Sequence, residues 1–136
     1  MRKFEIFAIC LIATNAYGCD IPIGEYAPIV MSEYSLQLKL IDKENYQFIY
    51  KTWWTSDGGW KEKHSHRGHW ECEGNNLTLN FGGTLISAIL KQEFLSIPGE
   101  KDRKSKALYF PQTTNPSTLF TGRVYWPISF LEESFN

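Results

Sequence analysis

The sequence predicts an all-β protein: a single antiparallel meander of about 7–8 strands forming a small barrel or sandwich. Three observations carry this. Apolar residues recur at every second position in several short runs, the spacing of half-buried strands. Clusters of Gly, Asp and Asn separate those runs at short intervals, where the chain must turn. Aromatic residues make up 15% of the chain, and pleated strands favour them. Short, sequential connections favour a meander over crossing connections, and closure at about eight strands leaves an interior that side chains fill or that holds one small ligand.

Before the first strand comes a leader. Met1-Arg2-Lys3 is a short basic start, Phe4 to Ala13 is largely apolar, and Ala16-Tyr17-Gly18 is a small-x-small site directly before Cys19. This is the layout of a cleaved secretory signal peptide. Residues 1–18 are therefore read as signal peptide and 19–136 as one domain of 118 residues. Cleavage after Ala16 is the alternative, since Thr14-Asn15-Ala16 also offers small residues at both positions. The apolar run falls short of the roughly 20 residues a bilayer span needs, so no transmembrane span is expected in the mature form. Loss of Arg2, Lys3 and Glu5 moves the formal charge from −1 to −2. That near-neutral balance gives no basic face for nucleic acid. The expected location is exported, either periplasmic or secreted.

The leader also takes Cys10 with it, leaving Cys19 and Cys72. In an oxidising compartment the simplest outcome is one disulfide between them. The competing reading makes Cys19 the lipid-anchored first residue of a bacterial lipoprotein, which leaves Cys72 unpaired.

The strands follow in order. Tyr34 to Ile41 puts Leu36, Leu38 and Leu40 on one face and Ser35, Gln37 and Lys39 on the other. Asp42-Lys43-Glu44-Asn45 turns the chain, and Tyr46 to Trp54 returns as the hairpin partner. Ser56-Asp57-Gly58-Gly59 is the strongest turn signal, because Gly accepts positive φ and Asp bonds its own following backbone. Trp60 to Cys72 forms the next strand, ending at Glu73-Gly74-Asn75-Asn76, and Leu77 to Phe81 follows with Leu77, Leu79 and Phe81 alternating. Gly82-Gly83 breaks it. Residues 84–97 fit either one amphipathic helix or strand pieces divided near Gln92; the β-branched content and the neighbours favour strands. A charged loop spans Glu100 to Lys106, strands are expected at Ala107 to Phe110 and Thr118 to Trp126, and the tail Ile128 to Asn136 packs back as a short helix or frays.

Gly24-Glu25-Tyr26, the Leu36-Leu38-Leu40 strand, Gly68-His69-Trp70 and then Gly74-Asn75-Asn76-Leu77-Thr78-Leu79 resemble a pattern in small bacterial envelope proteins with lipocalin-like, calycin-type barrels. In those proteins a G-x-Y strand opens the domain, and G-x-W leads into a hairpin whose partner reads L-x-L. The resemblance covers Gly24 to Phe81 and implies a barrel. Lipocalins proper carry G-x-W on the first strand, whereas here it falls near the fourth, so the motif does not transfer their ligand-binding role.

Two constellations suggest chemistry. His64, His66 and His69 are all the histidines of the chain, and imidazoles bind zinc or copper. On a regular strand His64 and His66 share a face while His69 points the other way; a bulge at Gly68 would realign them. The surrounding Lys61, Lys63 and Arg67 oppose a further cation, and an exposed charged strand is the simpler reading of the segment. The second constellation is Trp53, Trp54, Trp60 and Trp70, read as a binding surface for a sugar ring, an apolar ligand or a protein. Against it stands the need of a small barrel for bulky core residues. Neighbours Trp53 and Trp54 must point to opposite faces of an ideal strand.

Catalysis has little support: Ser65 with His66, or Cys72 with His69, lacks a third orienting group. Glu71 and Glu73 share a face as many solvated strand pairs do. Asn76-Leu77-Thr78 matches the N-glycosylation acceptor, relevant only in a eukaryotic secretory pathway. The expected function is thus a non-enzymatic exported β-domain, without cofactor, that binds a small apolar ligand or an envelope protein. The alternative is a metal-binding protein or small secreted hydrolase centred on His64, His66 and His69.

Overall fold

The structure, a computed structural model, describes residues 18–29, 34–54, 59–112 and 119–135, and of residues 53, 54 and 59–62 the backbone alone. Residues 1–17, which hold the predicted signal peptide up to Tyr17, and 55–58, the tip of the Ser56-Asp57-Gly58-Gly59 turn, lie outside that description. Among the described residues eight strands are formed: β1 Gly24–Ala27, β2 Tyr34–Leu40, β3 Asn45–Trp54, β4 Gly59–Glu73, β5 Asn76–Phe81, β6 Thr84–Leu95, β7 Arg103–Tyr109 and β8 Val124–Pro127. A helix, α1, spans Ile128–Phe135. Each strand pairs antiparallel with the next, and β1 pairs with β8 through Tyr26 opposite Pro127. The protein is a closed up-and-down barrel.

Alternation dictates its interior. Leu36, Leu38 and Leu40 on β2, Tyr46 and Phe48 on β3, Leu77 and Leu79 on β5, and Ile86, Ala88 and Leu90 on β6 all point inward and are buried. Phe110, Phe120 and Tyr125 complete the filling, with Phe120 centred 4.9 Å from Phe48 and 5.0 Å from Phe110. Each such side chain removed from water contributes about 1.5–3 kcal/mol before entropy is counted.

The end carrying the β2–β3, β4–β5 and β6–β7 turns, here the lower end, is closed by the incoming chain. Cys19 and Cys72 are joined in a disulfide with Cα atoms 5.4 Å apart. Ile21 follows and is buried in the core. In the β2–β3 turn the Asp42 carboxylate accepts the backbone N–H groups of Glu44 and Asn45, both at 2.8 Å. The Asn45 side-chain amide first, and then these backbone bonds, hold its pKa below the ordinary aspartate value. The Trp70 indole N–H donates to the carbonyls of Asp42 at 2.8 Å and Asn45 at 3.1 Å, pinning the turn to β4.

Three sequence expectations need correction. β6 is one continuous strand, not pieces divided near Gln92; Ile86, Ala88 and Leu90 face the barrel interior, whereas Leu95 is buried on the outer face with Trp126 and Ala107. The outer face is covered there by α1, with the Phe130 ring stacked 5.2 Å from Trp126. Cover on both faces in turn is what made the run resemble a helix. β7 begins at Arg103, inside the expected charged loop, because Arg103 to Lys106 pair with β6 while their side chains remain at least partly exposed. β8 begins only at Val124: in the stretch read as strand from Thr118, Leu119 to Gly122 form turns, Gly122 has φ +72, and its N–H donates to the Phe110 carbonyl at 2.7 Å.

Candidate functional site

At the opposite, upper end the same inward alternation continues past the filled core and makes a mouth. β2 contributes Tyr34, β3 Tyr50, β4 His64 and His66, β5 Phe81, and the segment before β8 Arg123. Tyr34 and Tyr50 stack at 6.3 Å, and Tyr50 lies 6.1 Å from His64. Arg123 donates to the Tyr34 hydroxyl at 2.9 Å with its guanidinium 5.6 Å over the same ring. The His66 ring is 4.5 Å from Phe81 and 6.0 Å from Tyr46.

His66 Nε2 is the polar atom that stands out. Among the described residues it is the buried side-chain nitrogen or oxygen with no hydrogen-bond partner. Neutral imidazole presents one donor and one acceptor nitrogen. Leaving either dry and unpaired costs about 1–3 kcal/mol. Aromatic rings thus surround one unmet polar atom at this end of the barrel.

The three histidines do not converge. His64 and His66 lie along the inward face of β4 while His69 points outward and is exposed. Among the described residues no group of three or more His, Cys, Asp or Glu side chains is placed to hold a metal. His69 instead borders an open polar depression of about 750 Å³ on the lower outer wall, with Lys43, Glu44, Glu71, Glu73, Asn76 and Thr78. Trp70 is 3% exposed and belongs to the core. The hairpin carrying Trp53, Trp54 and Trp60 rises from the mouth: Trp53 is paired with Trp60 across it, with a register shift between Thr52 and Trp53. The side chains of those three tryptophans lie outside the described residues.

The sequence singled out His64 and His66 but not Tyr34, Tyr50, Phe81 or Arg123. Alternation alone signals that Tyr34 and Tyr50 follow the inward leucine and aromatic rows. No local signal marks Arg123, whose partner Tyr34 is 89 residues away.

Fold and geometry together define a small eight-stranded antiparallel barrel with a packed interior, one sealed end and one aromatic mouth. Compared with known proteins, the chain matches no family model, no curated protein and no solved structure.

Proposed function

We propose that this protein is an exported, non-enzymatic β-barrel that binds a small apolar ligand bearing one hydrogen-bonding group at its upper mouth. The carrying observation is the buried, partnerless Nε2 of His66 amid Tyr46 and Phe81. Filling of the barrel below it by Phe48, Phe110, Phe120 and Tyr125 favours the rim over the interior as the place for a ligand. The leader-like residues 1–18 and the Cys19–Cys72 bridge support an oxidising, extracytoplasmic setting.

The test is extraction of the folded, exported protein under denaturing conditions, with mass analysis of what is released, beside titration with an apolar fluorescent dye. Saturable binding that weakens in His66→Ala supports the mouth as the site. No released molecule together with no saturable dye binding rejects it.

A second reading, a protein partner docked on the upper hairpin, is favoured by one observation. Among the described residues β5 pairs with β4 only from Trp70 to Glu73. The Gly59 to His69 portion of β4 pairs with β3 on its other side, so an extended partner segment can add to its edge. Lys63 and Arg67 on that stretch restrict such pairing.

A further inference from the structure

We infer that the leader is cut after Ala16, so that the exported chain begins at Tyr17 and keeps Gly18 as part of the fold; this rests on the export reading above. The sequence offers two positions, with small residues at Thr14 and Ala16 or at Ala16 and Gly18. They differ in what they leave for the β4–β5 turn.

The Gly18 carbonyl accepts the Gly74 N–H at 2.7 Å, and the Asp20 N–H donates to the Gly74 carbonyl at 2.8 Å. Between them Cys19 stands opposite Gly74 in a parallel bridge, its sulfur bonded to Cys72. Gly18 has φ +36, backbone that glycine adopts without the cost a Cβ imposes. The fold therefore uses Gly18 both as an acceptor and for its conformation. Hydrolysis of the Gly18–Cys19 amide would remove that acceptor and set a charged ammonium on Cys19. Hydrolysis of the Ala16–Tyr17 amide leaves a carboxylate on the discarded leader, an ammonium on Tyr17, and every one of these contacts intact.

The same placement decides the fate of Cys19. A lipid anchor needs this residue at the amino terminus with its sulfur in a thioether to a diacylglyceryl group. A cut after Ala16 leaves the residue internal, and its sulfur is bonded to Cys72.

Export of the full chain from a bacterial host, followed by intact mass before and after reduction, tests this. The expected product starts at Tyr17, carries no adduct and gains two hydrogens on reduction. A product starting at Cys19, with or without diacylglycerol, overturns the inference while leaving export standing. A product still bearing Met1 overturns both. Thr14→Lys places a charge three residues before the inferred cut without touching Ala16 or Gly18, and should block or divert processing. A variant processed to the same mass as the parent overturns the inference.

Discussion

Tyr46 lies directly across Gly68. A Cβ on that glycine would sit 2.7 Å from the Tyr46 hydroxyl and 2.9 Å from the Asn80 carbonyl, to which the hydroxyl itself donates at 2.7 Å. Here β4 changes partner, pairing with β3 through His69 and with β5 from Trp70. The glycine is required by close approach, since its φ is not in the left-handed region.

Gly68→Ala should therefore lower stability by about 1–3 kcal/mol, the usual cost of forcing an atom into packed surroundings. Tyr46→Phe should cost about 1 kcal/mol by leaving the Asn80 carbonyl unpaired. In the double variant the losses should sum to less than the two singles, because the nearest clash has gone. Urea denaturation of the four proteins checks this; an additive result contradicts the contact.

Removing the Cys19–Cys72 bridge should cost about 4 kcal/mol on the chain-entropy model, given a sequence separation of 53 residues. Cys19→Ser with Cys72→Ser and the reduced parent should unfold at similar denaturant concentrations, both well below the oxidised parent. Equal midpoints for oxidised and reduced protein would show that the loop contributes nothing.

His66→Phe replaces the partnerless Nε2 with ring carbon beside Phe81. Stability should rise by about 1 kcal/mol, since an unmet polar atom is removed, while binding of the apolar dye should weaken. A less stable variant would mean that His66 already has a partner in solution.

Burial pushes the hydroxyls of Tyr26 and Tyr46 up to about 12, and that of Tyr125 further still. An unfolded tyrosine ionises near 10. The folded state thus holds its protons longer, and this stability is complete below pH 10 and lost as pH rises through 12. Melting temperature should fall across that window alongside the rise of phenolate absorbance, and Tyr46→Phe should flatten the slope. A parent curve that is level from pH 9 to 12 would refute it.

At the acid end, the Asn45 amide and then the backbone N–H groups of Glu44 and Asn45 lower the Asp42 pKa. That contribution is present above the ordinary aspartate value of about 4 and disappears as pH falls through the lower folded value. Asp42→Ala should be the less stable protein at neutral pH, and the gap to the parent should close on acidification below pH 4. A gap that persists unchanged would assign the effect to something other than the carboxylate.

Much of this was legible in the chain. Leu36, Leu38 and Leu40 announce an inward row because strand side chains alternate with period two, and Asp42 and Gly74 announce turns through their own backbone chemistry. The pairing of Cys19 with Cys72 followed from counting thiols in an oxidising compartment. The boundaries of β7 and β8 were not legible, because a charged stretch such as Arg103–Lys106 becomes strand through its neighbour, and Leu119 to Gly122 turns to seat Phe120 in the core.

Local periodicity by itself determined that this is a β protein, which residues of β2, β3 and β5 face inward and where most turns fall, since those depend on neighbours within a few positions. Only the tertiary structure decided that the sheet closes through β1 and β8, that α1 covers the outer face at Leu95, and that Arg123 meets Tyr34 while His66 Nε2 has no hydrogen-bond partner among the described residues. Contacts between residues far apart in sequence exist only once the barrel has closed, and no pattern along the chain encodes them singly.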